Sequence, residues 1–323
     1  MSLTTRVLIT GGAGFIGSNL ADELIGQGAK VTLIDNFATG FRENLEEING
    51  DFEFIEGDIT DDAALDKAVS GAEIIFHEAA LPSVPRSVED PAETHRICVD
   101  GTFNLLLKAK QTGVRRVIYA ASSSAYGDQP VLPKVETMRP DPLSPYAVAK
   151  LTGELYCRAF NHVYGLETVS LRYFNVFGPR QNPASMYSGV ISRFIDALMT
   201  GQQPVIFGDG EQSRDFTYID NVVDANIKAA QTTKGLGKTM NVANGDRITL
   251  NKLLTVLKKI TDTPDVAADF HEPRRGDVKD SQADNQRAIE CLGYKEIVGL
   301  EEGLSRTIEW WKQSRFANAD AVA

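Results

Sequence analysis

The stretch that most constrains the fold is residues 5–20, where the apolar run Val7-Leu8-Ile9 breaks into Gly11, Gly12, Gly14 and Gly17. An apolar-periodic segment follows at once, carrying Phe15, Ile16, Leu20, Leu24 and Ile25. The order is therefore buried strand, glycine turn, helix. Glycines let the backbone turn tightly and approach a pyrophosphate, whose charge then sits on the N–H groups and positive dipole of the new helix. A second apolar run, Val31-Thr32-Leu33-Ile34, ends in Asp35, 18 residues after Gly17. An acid at that point accepts hydrogen bonds from ribose hydroxyls and repels a 2′-phosphate, so the ligand expected is NAD. Its candidate contacts are Gly11, Gly14, Phe15, Ile16 and Gly17, then Asp35 and its neighbour Asn36.

The first half goes on alternating strand and helix. Apolar runs at 52–58, 73–77 and 116–121 read as strands, with helical patterns near 61–69 and 91–112 between them. Asp58, followed by Ile59, comes just after a strand. It is placed either to accept from an adenine amino group or to cap a helix together with Thr60. Ala79 and Ala80 begin a loop at the carboxyl end of their strand, where ligands bind in such sheets. After about residue 175 prolines and glycines interrupt the alternation, and helical patterns return at 188–199, 219–231, 249–260 and 300–313. The expected architecture is α/β, a doubly wound parallel sheet of the Rossmann type with a smaller mixed α/β lobe. Residues 1–175 form the NAD-binding domain, with a segment of about 212–235 returning to it. Residues 176–316 form the substrate lobe, and 317–323 a frayed tail.

Composition excludes several classes of function. The 323 residues carry a formal charge of −11, which argues against nucleic acid as a partner because nothing supplies a broad cationic surface. No apolar run is long enough to span a bilayer, and with the first strand so near residue 1 no signal peptide is expected. Cys98, Cys157 and Cys291 are an odd set without metal or redox spacing, as expected of reduced thiols in a cytoplasmic protein. Four scattered histidines suggest no metal site.

Ser144-Pro145-Tyr146-Ala147-Val148-Ala149-Lys150 has the signature of a helix start, with Ser144 as N-cap and Pro145 in the first position. Tyr146 and Lys150 then share one face, four residues apart. An ammonium beside a phenol favours the phenolate, so Tyr146 is expected to act as a base well below its ordinary pKa of about 10. Upstream, the strand over 116–121 ends in Ser122-Ser123-Ser124, which places hydroxyls at the carboxyl edge of the sheet.

Glycine loop, strand-end serines and Tyr-x-x-x-Lys, in this order, resemble the extended short-chain dehydrogenase/reductase superfamily. More narrowly they resemble its nucleotide-sugar 4-epimerases, over nearly the whole length. The resemblance implies that Tyr146 and Lys150 are the catalytic pair, Lys150 also bonding the nicotinamide ribose. Ser122 is then the serine that bridges the sugar 4-hydroxyl to the tyrosine, with Ser123 and Ser124 close by. Arg172-Tyr173-Phe174-Asn175 is similar to the family's substrate strand, in which Asn175 contacts the nucleotide sugar. Ser213-Arg214-Asp215-Phe216 and Arg274-Arg275-Gly276-Asp277 resemble segments that give Arg214 and Arg274 to the diphosphate, a role that suits the guanidinium fork.

Related dehydratases and decarboxylases place carboxylates after the matching strand, and loss of water needs that added acid and base. Ser123-Ser124 supplies none, so the expected reaction is oxidation and reduction at C4 with NAD retained, an epimerisation. Ser281 stands where the family borders the sugar pocket. With Leu81-Pro82-Ser83 and the triple serine, this small residue resembles the UDP-N-acetylglucosamine 4-epimerase branch. UDP-glucose/UDP-galactose and UDP-glucuronate are alternative substrates, and a non-catalytic NAD-binding regulator is the reading from another class. One departure stands out: Cys98 precedes Val99-Asp100-Gly101-Thr102 where the family usually has asparagine, so it is read as core without an active-site role. The helices at 91–112 and 144–163 resemble those of the family's four-helix interface, which implies a homodimer.

Overall fold

The computed structural model describes residues 5–182, 189–273 and 278–314; the expected tail at 317–323 lies outside them. Its centre is a parallel sheet built from β1 (Arg6–Thr10), β2 (Lys30–Asp35), β3 (Phe52–Glu56), β4 (Ile74–His77), β5 (Arg116–Ser122) and β6 (Glu167–Tyr173). A seventh strand, Lys238–Val242, joins the edge beyond β6. Counted from that edge, β6, β5, β4, β1, β2 and β3 follow in turn. The chain direction of the winding reverses between β4 and β1, and in such sheets the crevice outside the strand ends at that point binds ligand.

Both faces of the sheet are covered, which explains why its strands read as unbroken apolar runs rather than alternating ones. Val7, Ile9, Ile118 and Val169 pack with Leu20, Leu24, Ile219 and Val222, so one face meets the helices Phe15–Gly26 and Ile219–Gln231. Leu8, Ile75 and Val117 pack instead with Leu65, Leu105, Leu106 and Phe160, from helices Asp62–Val69, Gly101–Thr112 and Pro145–Tyr164. Helix Ile219–Gln231 packs on the sheet, and the strand that follows it, Lys238–Val242, joins the sheet edge.

Ser144 caps helix Pro145–Tyr164, its hydroxyl accepting from Ala147 N at 3.2 Å, and Gly165 ends the helix in the left-handed conformation. The helix expected over 91–112 is not uniform: Pro91–His95 leads into a π-helical turn, Arg96–Asp100, before Gly101–Thr112. Cys98 sits inside that turn, buried, and its Sγ accepts from Leu81 N at 3.5 Å. Single π turns often occur at functional sites because they re-aim the residues around them.

In the smaller lobe, short strands pair as Val176–Phe177 with Thr217–Tyr218, Ser213–Arg214 with Ile248–Thr249, and Val205–Phe207 with Asp269–His271. Two side chains tie this region together. Asp215 accepts backbone N–H bonds from Asn244, Gly245 and Ala283 at 3.0–3.1 Å. Arg180 reaches back to helix Phe15–Gly26 and the segment after it, donating to Ser18 O at 2.8 Å, Glu47 O at 2.7 Å and Asp22 at 3.0 Å.

Candidate active site

The carboxyl ends of β1, β2, β4, β5 and β6 open into a cavity of about 640 Å³. Gly11, Gly14, Phe15, Ile16 and Gly17 form one wall. Gly11 has φ +71°, and a Cβ at Gly17 would stand 2.1 Å from the Gly11 carbonyl oxygen, so the turn closes only with glycine at both positions. Helix Phe15–Gly26 begins at Gly14 with no side-chain cap and no acid in its first turn. Its leading N–H groups and positive dipole are thereby left for an anion in the cavity. This is the observation by which a dinucleotide pyrophosphate fits the site.

Asp35 and Asn36 line the cavity at the end of β2, with Asp58 and Ile59 beyond β3. Asp35 accepts from Ala13 N at 3.0 Å and Phe37 N at 2.7 Å, which aims its carboxyl across the glycine turn. Burial raises its pKa, against the lowering effect of those N–H bonds. Asp58 does not take the capping part expected of it. It faces the cavity while its Oδ1 takes Thr60 N and Thr60 Oγ1, each at 2.8 Å, and its Oδ2 takes Asn36 Nδ2 at 3.1 Å. The capping residue of the next helix is Asp61, which accepts from Ala64 N.

At the far end, Ser122 and Tyr146 line the same cavity, with Ala79, Ala80 and Ser83 between the two ends. Ser83 Oγ also accepts from Arg86 N at 3.0 Å, capping a short helix. Ser124 Oγ donates to Ser122 Oγ at 2.9 Å, and Ser124 N approaches the same oxygen at 3.2 Å. Burial pushes the Tyr146 phenol up, Cys98 adds to this, and a hydrogen bond with Ser122 opposes it. Lys150 is buried behind the wall, its ammonium donating to Ala120 O at 2.8 Å, and burial lowers its pKa. The ammonium is not among the groups acting on the phenol, so the expected ionisation of Tyr146 by Lys150 is not seen in the protein alone. Burial of both groups dominates.

Asn175 stands where the cavity meets a second one of about 200 Å³, which Arg214 lines together with Phe177, Phe207, Phe216, Gln181, Gln212 and Arg193. Asn175 adopts φ +35° and donates to Asp215 O at 2.9 Å. Arg214 donates to Ser213 O and Lys279 O from its Nη1. Besides Lys150, three expected site residues are not brought to either wall: Ser123 and Ser124 lie behind Ser122 in a 3₁₀ turn, and Ser281 bonds Ser213 O through its backbone N–H at 3.1 Å. Arg274 lies outside the described residues. Among the described residues no cluster of three or more histidine, cysteine or acidic side chains is set to hold a metal, and no helix is long and apolar enough to cross a membrane.

Sequence reasoning missed Arg193, Gln181 and Phe207, which share no motif with the residues that they join. It also missed Glu78. This carboxyl lines the main cavity directly after β4 and accepts from the Tyr173 hydroxyl at 3.0 Å. Its position beside Ala79-Ala80 was the available signal.

The model of the NAD dependent epimerase/dehydratase family matches residues 7–243. A UDP-glucose 4-epimerase of Mycolicibacterium smegmatis is 40% identical over 311 residues, 95% of this chain and 98% of that protein. Among solved structures, a UDP-N-acetylglucosamine 4-epimerase of Methanobrevibacter ruminantium in complex with UDP-N-acetylmuramic acid has TM-score 0.91 and 39% identity, covering 96% of this chain and 99% of that one. A UDP-glucose 4-epimerase of Thermus thermophilus in complex with NAD has TM-score 0.87 and 32% identity, covering 96% and 100%.

Proposed function

The chain belongs to the NAD dependent epimerase/dehydratase family, and we propose that it is a UDP-sugar 4-epimerase with UDP-GlcNAc and UDP-GalNAc as its substrate pair. The observation that carries the reading is the pairing of Ser122 with Tyr146 on the wall of the dinucleotide cavity, with serine rather than carboxylate next to Ser122. NAD is the cofactor, and when bound it would supply a reversible hydride acceptor for C4 of the sugar. Gly11 to Gly17 hold its pyrophosphate, and Asp35 holds the adenosine ribose.

Tyr146 takes the proton of the sugar 4-hydroxyl, directly or through Ser122, and gives it back when C4 is reduced. Lys150, one helical turn away, anchors the helix of Tyr146 to β5 through Ala120 O and is the residue that would bond the nicotinamide ribose. The second cavity keeps the nucleotide: aromatic Phe207 and Phe216 suit a base, while Arg214 and Arg193 suit a diphosphate. Held there, the keto-sugar turns its other face to the cofactor without leaving. A dehydratase or decarboxylase needs a further acid and base near C5; Ser123 and Ser124 offer neither.

The test is the purified protein incubated with UDP-GlcNAc and no added cofactor, followed by NMR of the anomeric protons. New UDP-GalNAc signals are expected. Turnover of UDP-glucose or UDP-glucuronate alone moves the assignment to that sugar, and no interconversion of any UDP-hexose removes it.

A further inference from the structure

Among the described residues, Glu78 is the one carboxyl in the part of the cavity wall that Ser122, Tyr146 and Tyr173 form, as opposed to the Asp35 and Asp58 end. Tyr173 ends β6 opposite Ser122 in the sheet register, and its hydroxyl crosses to Glu78 Oε1 at 3.0 Å. Asn226 Nδ2 donates to the same hydroxyl at 2.8 Å, and of the two acceptors facing the phenol's own proton Glu78 Oε1 is the nearer, Asn226 Oδ1 standing at 3.1 Å. Glu78 Oε2 is sealed from solvent and has no hydrogen-bond partner among the described residues. A carboxyl oxygen in that state is costly, and a positive charge close by relieves the cost. The charged and titratable groups acting at this place are Lys150, from the helix across the cavity, and Tyr173; His77, the preceding residue, is buried and neutral.

We propose that Glu78 is a charge-poising residue of the hydride site: its carboxylate, held by Tyr173, favours the oxidised, positively charged nicotinamide over the neutral reduced ring. The proposal rests on the reading above only in taking the Ser122–Tyr146 end as the nicotinamide end. The electrostatics balance simply. Oxidised nicotinamide carries one positive charge, and the arrival of a hydride cancels it; a fixed negative charge nearby stabilises the first state and not the second. Burial raises Glu78 to about 7, against the lowering effects of Tyr173 and Lys150, so its charge responds to that of its neighbours. The oxidised ring holds it ionised, and reduction lets it take a proton from solvent. For an enzyme that lends hydride to its cofactor only for part of a cycle, this keeps the reduced state short-lived.

The experiment equilibrates the purified protein, without sugar, against defined mixtures of NAD and NADH and reads the bound reduced fraction by nicotinamide fluorescence. Glu78→Gln keeps an acceptor for Tyr173 and removes the charge. The bound NADH-to-NAD ratio should rise on the order of tenfold at neutral pH. In the wild type the ratio should climb as pH falls and Glu78 protonates, converging on the variant; the slope left in the variant belongs to Lys150 and Tyr146. An unchanged ratio with an unchanged pH slope overturns the proposal. Should Glu78→Gln not fold, Tyr173→Phe removes the donor that holds the carboxylate ionised and must shift the ratio in the same direction; no shift overturns it equally. Sugar interconversion plays no part in this measurement, so failure of the epimerase reading and failure of the poising role are told apart.

Discussion

The ammonium of Lys150 donates to the carbonyl oxygen of Ala120 at 2.8 Å, two residues before Ser122 on the same strand. That bond fixes the helix carrying Tyr146 against the strand carrying Ser122, and it makes Lys150 a positioning group as well as a charge. Tyr146→Phe should lower turnover by about 10²–10⁴-fold while NAD stays bound. Lys150→Met should lower turnover as well, because the helix carrying Tyr146 then loses its bond to Ala120 O. A Tyr146→Phe protein that still epimerises UDP-sugars at the wild-type rate would remove the base assignment.

Asp35 has two tasks that a single substitution separates. Its carboxyl accepts from Ala13 N and Phe37 N, and it faces the cavity. Asp35→Asn keeps one acceptor for the loop but loses the charge and half of the acceptor capacity. NAD affinity should weaken by about tenfold, on the order of one charge-assisted hydrogen bond, with discrimination against NADP falling further. Calorimetric titration with both dinucleotides measures this.

His77 governs an acid limb of stability. Its Nδ1 lies 2.8 Å from Thr10 Oγ1 and its Nε2 lies 2.9 Å from Thr102 Oγ1. The Thr102 hydroxyl donates onward to Cys98 O at 2.8 Å, so the neutral ring donates from Nε2 and accepts at Nδ1. Burial, helped by the charge of Lys150, pushes His77 down to about 3. The unfolded chain takes up that proton near pH 6.5, the folded one far lower. Stability from this group is therefore complete above about pH 6.5 and is lost as pH falls toward 3, on the order of a few kcal/mol. Thermal melts of wild type and His77→Gln across that window should differ in slope, the variant being the flatter.

Asp215 is a structural clip for the smaller lobe. Asp215→Ala strands the N–H groups of Asn244, Gly245 and Ala283, and should cost about 3 kcal/mol or more. Denaturant melts check the loss. Because Asn175 donates to the backbone oxygen of Asp215, the same variant should also raise KM for the nucleotide sugar.

Legibility in the sequence followed the range of the interactions. The glycine turn, the acid at the end of β2 and the Ser144-capped helix carrying Tyr146 and Lys150 are written in residues only a few positions apart. Backbone sterics, strand alternation and helical periodicity act over those distances, so the α/β order and the main cavity could be read directly. The π turn around Cys98 interrupts a run that looked uniformly helical, because its extra residue falls within the unbroken apolar stretch Ile97-Cys98-Val99, where a one-residue shift of phase does not show.

Glu78 and Tyr173 are 95 positions apart. Only the strand order, with β5 between β4 and β6, brings them within a hydrogen bond. The same holds for the direction of the Lys150 ammonium, for His77 between two threonines, and for Ser281 against Ser213 rather than the cavity. The chain by itself determined which elements form and in what succession, since that is settled by local conformational preference. Which buried charges meet was decided by tertiary structure alone, because strand order and packing, rather than sequence distance, set the separations over which those charges act.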